Sequence, residues 1–123
     1  MKINTSVGKA STSLRWDIAG EKVKFKVSGR ACAEYSETRN VIVVAAIDGM
    51  LRILKPEDAS LISQFPCNEA DKQNFYLLEK SRARDLGVRI IMAHTPELKC
   101  ERFWQHDIDL ENMKISEPKA KWR

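Results

Sequence analysis

The chain has 123 residues, of which 43% are hydrophobic and 31% are charged, and its formal net charge is +4. The length suits one domain, and the composition excludes a chain that is disordered throughout. No apolar run reaches the about 20 residues that a membrane-spanning helix needs, so the sequence predicts no membrane contact. Residues 1–8 lack the apolar core of a signal peptide, and three widely spaced cysteines form no disulfide framework, which together predict a cytoplasmic protein.

The charge is unevenly distributed along the chain. Residues 1–30 carry seven basic and two acidic side chains, a net charge of +5. Residues 31–111 carry ten basic and fourteen acidic side chains (−4), and residues 112–123 carry four and one (+3). Such segregation is typical of chains that contact nucleic acid or another polyanion, and it also serves solubility alone.

The first predicted elements form a β-hairpin. Residues 1–12 are polar and predict a loose lead-in or a short edge strand. Apolar and polar residues then alternate through 14–18 and again through 22–27, the period of half-buried strands. A Gly-containing connection separates the two runs, which favours direct pairing, with Trp16 and Phe25 on one apolar face.

The longest apolar run is Val41–Ile47. Its β-branched residues and its polar flanks favour a strand over a helix. Because no polar residue alternates with the apolar ones, both faces of this strand are predicted to be covered. Asp48-Gly49 follows, and this dipeptide predicts a tight hairpin to Met50–Leu54.

Two helices are predicted after this meander. Pro56 suits a first helical position and is followed by two acidic residues, and Pro66 ends the apolar pattern. Asn68 is the predicted N-cap of a longer helix that runs to Leu86, with Gly87 as the terminating residue.

The last predicted elements are strands at Val88–Ala93 and Arg102–Leu110, followed by a basic tail at residues 111–123. Strands, then helices, then strands predict an α+β fold, with a mostly antiparallel sheet of about five to seven strands. The two helices are inserted before the last strands. The whole chain 1–123 is predicted to be one domain, with a basic lead-in (1–12) and a basic tail (111–123).

A row of three lysines is the most regular charged feature. On a strand, Lys22, Lys24 and Lys26 project from one face about 7 Å apart, close to the phosphate spacing along one nucleic-acid strand. Arg15 and Arg30 extend this row, and no aromatic residue for base stacking is expected on the same face. The alternative is a solvated face whose lysines discourage edge-to-edge association.

Two histidines and two aspartates are the candidates for chemistry. Asp107 and Asp109 share a strand face, but His106 points to the opposite face. His94 lies at a strand end, where sites are common, and a thiolate–imidazole pair with Cys100 is conceivable there. No metal motif and no phosphate-binding loop is present, so no metal and no cofactor is predicted.

The sequence therefore predicts a small, non-enzymatic binding module that contacts nucleic acid or an acidic protein surface. The predicted binding residues are Arg15, Lys22, Lys24, Lys26, Arg30, Arg82 and Arg84, the last two in a second basic group at the end of the longer helix. One alternative is a metal-assisted hydrolase or phosphodiesterase that uses His94 or His106 with Asp107 and Asp109. Another is an oligomeric scaffold or an inhibitor. Convergence of the histidines and aspartates in one cleft would favour the enzyme.

Overall fold

A computed structural model describes residues 1–67, 73–81 and 86–122. These residues form eleven strands. The strands are β1 (Asn4–Val7), β2 (Ser11–Ile18), β3 (Glu21–Ser28), β4 (Ala31–Ser36), β5 (Val41–Ala46), β6 (Met50–Leu54), β7 (Leu61–Pro66), β8 (Gln73–Lys80), β9 (Val88–Leu98), β10 (Glu101–Asp109) and β11 (Lys114–Lys121). The described part of the chain contains no helix long and apolar enough to span a membrane.

The strands form three antiparallel sheets. The first sheet has the order β1-β2-β3, the second β4-β5-β6-β7, and the third β11-β10-β9-β8. Every paired strand is a sequence neighbour of its partner, so each sheet is a meander of local hairpins.

The strand β5 is buried along its whole length in the middle of the second sheet. Alternate residues of a strand point to opposite faces, and here each face belongs to a different core. One core joins the second and third sheets and contains Val41, Val43 and Ala45. The other joins the first and second sheets and contains Ile42, Val44 and Ala46. The three sheets therefore stack with the second in the middle. The prediction of an interior strand covered on both faces is confirmed for Val41–Ala46 and is wrong for Ile47, which follows the strand and is exposed.

The predicted hairpin between β5 and β6 is also confirmed. Ala45 pairs with Leu51, and Gly49 has a φ of 85° in the connection. The Asp48 carboxylate accepts a hydrogen bond from the Met50 backbone N–H at 3.0 Å. The Arg52 guanidinium donates to the same carboxylate at 2.6 Å and holds the pKa of Asp48 below its usual value.

The hairpin of β2 and β3 has the predicted apolar face. Leu14 pairs with Phe25 and Trp16 with Val23, across a two-residue turn in which both Ala19 and Gly20 have positive φ. Positive φ at both positions is the turn that matches the twist of paired strands. Trp16 also reaches beyond its own sheet, because its Nε1 donates a buried hydrogen bond of 2.7 Å to the carbonyl of Pro56.

The predicted α+β fold is wrong: the described residues are all β, without any helix. Where the first helix was predicted, Leu61–Pro66 is β7 at the edge of the second sheet. The acidic residues after Pro56 form a turn, in which the Asp58 carboxylate accepts from the Ser60 backbone N–H at 3.0 Å. Pro66 is accommodated at the end of an edge strand, where a missing N–H costs least.

The second predicted helix is wrong over Gln73–Lys80, which is β8; residues 68–72 and 82–85 lie outside the described residues. A register shift lies between Phe75 and Leu77 in the pairing of β8 with β9. This bulge adds one residue, Tyr76, so Phe75 and Leu78 both reach the core although they are three positions apart. A spacing of three is also the spacing of a helix face, which explains the wrong prediction.

The predicted tail is largely a strand. β11 (Lys114–Lys121) pairs with β10 and forms one edge of the third sheet. β9 continues past the predicted break to Leu98, through a cis Thr95–Pro96 peptide bond. β9, β10 and β11 thereby bring residues 94–98, 106 and 115–118 together around one pocket.

Candidate functional site

A cluster of four cations lies on the outer face of the first sheet, and we call it the basic face: Arg15, Lys22, Lys24 and Lys26. All four side chains are exposed, whereas their neighbours Leu14, Trp16, Val23 and Val27 are buried in the core below. The strand period therefore places the cations together, as the sequence predicts.

The pairing of β2 and β3 determines which charges of this cluster lie opposite each other. Arg15 lies directly opposite Lys24, and Lys22 lies opposite Asp17. Like charges directly opposite each other destabilise an antiparallel pair. In the described part of the chain, none of the four cations forms an ion pair that would offset this repulsion. The face thus has a net positive charge that a bound anion would neutralise.

Two shallow depressions flank the Arg15–Lys24 pair. One, of about 380 Å³, is lined by Asn4, Arg15, Trp16, Asp17, Lys22 and Lys24. The other, of about 450 Å³, is lined by Ser6, Ser13, Leu14, Arg15, Lys24, Phe25 and Lys26. Both share the cations of the pair, and both include neutral polar groups from β1 or β2. A chain of anionic groups that runs along β3 would therefore meet cations in each depression.

Of the other predicted binding residues, Arg30 lies away from the two depressions. Arg30 lines neither depression; its guanidinium lies 4.7 Å from the centroid of the Phe75 ring, and its Nη1 donates to the carbonyl of Tyr76 at 3.3 Å. Arg82 and Arg84 lie outside the described residues.

The two histidines, in contrast, meet. The Nε2 atoms of His94 on β9 and His106 on β10 are 2.9 Å apart. The ring centroids are 5.1 Å apart and the ring planes differ by 18°, so the rings meet nitrogen to nitrogen rather than face to face. Together they border a pocket of about 520 Å³.

The hydrogen-bond partners determine which nitrogen carries hydrogen. His106 Nδ1 lies 2.8 Å from the carbonyl oxygen of Ser116, which can only accept, so Nδ1 is the donor. The Nε2 of a neutral His106 is then an acceptor, and His94 Nε2 donates to it. Burial lowers the pKa of His106, and the nearby His94 lowers it further, against the opposing effects of the Ser116 carbonyl and Asp107.

The aspartates do not join this pair. Asp107 accepts a hydrogen bond from Arg89 Nε at 2.9 Å, and the Arg89 guanidinium also donates to Gln105. Asp109 accepts from the backbone and side-chain amides of Asn112 in the next turn. Neither carboxylate lines the histidine pocket. No cluster of three or more His, Cys, Asp or Glu side chains suited to a metal ion occurs among the described residues.

The cysteines offer no activated nucleophile near the pair. Burial raises the pKa of Cys32 to about 11 and that of Cys67 to about 12, so both remain protonated thiols. Cys100 is exposed in the turn after β9. The Nε2 of His94 is engaged by His106.

Three aromatic residues of the third sheet and its end, Tyr76, Phe103 and Trp122, form a group that the sequence does not predict. The ring of Tyr76 lies 4.7 Å from that of Phe103 and 5.6 Å from that of Trp122, measured between centroids. Trp122 Nε1 donates to the Glu79 carboxylate at 3.1 Å. These contacts tie β8, β10 and the end of β11 together, as cross-strand aromatic pairs commonly do.

No known protein family, curated protein or solved structure matches this chain. Its function is therefore inferred from its own geometry.

The lowered pKa of His106 gives a testable dependence of stability on pH. A histidine with a lower pKa in the folded than in the unfolded state binds fewer protons when folded, so stability falls as pH drops below the ordinary value of 6.5. We expect the melting temperature to fall between pH 7.5 and 5.0, and to fall less in His106→Asn. Thermal melts followed by circular dichroism measure both.

The pH window separates this effect from that of the carboxylates whose pKa is lowered, and the comparison with His106→Asn removes the contribution of Glu34, whose pKa burial raises. The pKa values of Asp48 and Asp109 are lowered, so their contributions are lost only as pH falls below the ordinary carboxylate value of 3.8. An equal drop in melting temperature for the wild type and His106→Asn between pH 7.5 and 5.0 would contradict the assignment to His106.

Proposed function

We propose that this protein is a non-enzymatic binding module that contacts the phosphate backbone of nucleic acid through its basic face. The observation that carries this proposal is the placement of Arg15 directly opposite Lys24, between two further lysines and without any ion pair in the described part of the chain. A face used only for solubility gains nothing from opposed like charges, which weaken the sheet.

The spacing on β3 supports a phosphate ligand in particular. Lys22, Lys24 and Lys26 follow every second position of a regular strand, so their amines recur at about 7 Å, near the spacing of consecutive phosphates. Contacts of this kind position a backbone without reading its bases. The core residues Trp16 and Phe25 lie on the opposite side of the sheet from these lysines, so the proposed binding is independent of sequence.

The hydrolase alternative has less support. It needs His94 or His106 to act with Asp107 and Asp109, and these carboxylates are engaged by Arg89 and Asn112 instead. A cytoplasmic location is part of the proposal, because Cys32, Cys67 and Cys100 form no disulfide.

Salt dependence tests the proposal. We expect the wild type to bind a fluorescein-labelled single-stranded oligonucleotide at low salt, and more weakly as salt rises. Each phosphate neutralised contributes about 0.7–0.9 to the slope of log K against log salt. The triple substitution Lys22→Gln, Lys24→Gln and Lys26→Gln should therefore flatten the slope by about two to three units. Anisotropy titrations at several salt concentrations measure it.

A charge-matched control isolates the basic face from net charge. Lys55, Lys99 and Lys114 are exposed and lie outside the first sheet. Changing these three to Gln removes the same total charge and should leave the slope unchanged. Equal slopes in both triple variants, or no binding at low salt, would refute the proposal. Binding to polyglutamate but not to the oligonucleotide would make an acidic protein surface the partner.

A further inference from the structure

The His94–His106 contact holds a single hydrogen between its two nitrogens. At 2.9 Å, nitrogen to nitrogen, one Nε2 must donate and the other must accept. The pair therefore accommodates either no charge or one positive charge. A second positive charge would place two N–H groups against each other, and the contact could not persist.

The same pair is tied to the edge strand β11. His106 Nδ1 donates to the Ser116 carbonyl, and the Asp107 backbone N–H donates to the Ser116 hydroxyl at 2.8 Å. The pairing of β10 with β11 is irregular at this point, with register shifts on both sides of His106. Side-chain hydrogen bonds thus supplement an interrupted backbone ladder at this site.

The pocket beside the pair is bordered by β9 and β11, which lie on either side of β10. Residues 94–98 of β9 line one part and residues 115–118 of β11 another, and His106 of β10, which is 1% exposed, lies between them. Separation of the histidines would therefore remove the side-chain link between the two walls of the pocket.

The charged groups around the pair belong to three strands. Glu97 of β9 and Glu117 of β11 line the pocket, and Glu117 lies 3.6 Å from Lys119. Asp107 of β10 is paired with Arg89. Arg102 borders an adjoining depression that also includes His94. Three cations, Lys119, Arg89 and Arg102, therefore accompany the three carboxylates around the pair.

We propose that His94 and His106 form a pH-sensitive latch, which ties the end of β9 through β10 to β11 at neutral pH and opens when the pair takes up a second proton. Acidification disrupts the contact between the rings. His94 moves away from His106 because it is the less buried ring. The end of β9 and the centre of β11 then lose protection from exchange with solvent. The lowered pKa of His106 is consistent with this order of events, since His106 resists the proton while the latch is closed. This device is independent of the basic face.

Hydrogen exchange measured residue by residue tests the latch. We compare protection at pH 7.5 and 5.0, corrected for the intrinsic exchange rates, in the wild type and in His94→Gln. The amide of glutamine also donates a hydrogen bond but takes up no proton. In the wild type, the amides of residues 95, 97, 98 and 114–117 should lose about tenfold or more of their protection at pH 5.0, while β5 stays protected. In His94→Gln, residues 114–117 should keep the same protection at both values of pH.

Nitrogen-15 shifts of the histidine rings count the protons in the same samples. Uptake of a second proton together with the loss of protection supports the latch. Proton uptake without loss of protection overturns it, and so does the absence of uptake down to pH 5.0. An equal loss of protection at residues 114–117 in His94→Gln would also overturn it, because the glutamine can turn its carbonyl oxygen toward a protonated His106 and never places a second positive charge against it.

Discussion

Replacing Val43 with Asp is expected to unfold the protein. Val43 is 0% exposed and belongs to the core between the second and third sheets. A carboxylate there is without a partner, and an unpaired buried charge costs several kcal/mol, comparable with a total stability of about 5–15 kcal/mol. We expect loss of the cooperative thermal transition and collapse of amide dispersion in NMR spectra.

The neighbouring position makes this a test of the three-layer arrangement. Val44 points to the opposite face of β5, where the first sheet covers it. In a two-layer sandwich one of the two positions would face solvent and would tolerate Asp. Here both Val43→Asp and Val44→Asp should unfold the chain. The matched control is Val7→Asp, because Val7 is 58% exposed and its substitution should cost less than about 0.5 kcal/mol. A folded Val44→Asp variant would contradict the stacking of the first sheet on the second.

The elements that the sequence predicts well are those whose pattern depends on local rules. The hairpin of β2 and β3 follows from strict alternation and a Gly20 turn, and this register alone places Arg15 opposite Lys24. The burial of β5 follows from the lack of any polar residue in the run. In both cases no bulge interrupts the strand, so the alternation of residues alone predicts which side chains share a face.

The errors arise where the period is broken or where turn residues resemble a helix start. Phe75 and Leu78 suggest a helix because they are three positions apart, and the bulge at Tyr76 lets both side chains point to the same face of the strand. No residue type in the sequence indicates that a bulge occurs there. Pro56 and the acids after it fit a helix N-terminus as well as they fit the turn that they form. The segments predicted as helices become strands because they pair with β6 and β9. Such pairing depends on residues that are distant in the sequence, so a local pattern does not predict it.

The histidine pair was beyond sequence reasoning for the same reason. His94 and His106 lie twelve residues apart on neighbouring strands, and a register shift falls between Glu101 and Phe103. A hairpin that kept the register of Glu101 and Leu98 would pair His106 with Ala93, but the shift pairs it with Ile90, four residues from His94. Only the full course of β9, β10 and β11 brings the two rings together. The lysine row, by contrast, needs only the strand period, which is why the sequence predicts it.

Truncation of Trp16 is expected to produce the largest loss among uncharged substitutions. Trp16 is 2% exposed, lies in the core between the first and second sheets, and donates its Nε1 hydrogen bond to Pro56 across that core. Trp16→Ala should cost about 3–5 kcal/mol, through lost burial and the cavity that remains. Trp16→Phe should fall between the wild type and Trp16→Ala, because it keeps most of the apolar contact but leaves the Pro56 carbonyl without its donor, which costs about 1–3 kcal/mol.

Urea unfolding at equilibrium separates these variants, and Trp122→Phe is the matched control. Trp122 also donates an Nε1 hydrogen bond, to Glu79, but it is only half-buried, so its replacement by Phe should cost less than that of Trp16. The order of stability should be wild type, Trp122→Phe, Trp16→Phe and Trp16→Ala. If the free energy of unfolding of Trp16→Ala lay within about 1 kcal/mol of the wild-type value, Trp16 would not hold the first sheet against the second. The basic face would then lack the rigid support on which its spacing of charges depends.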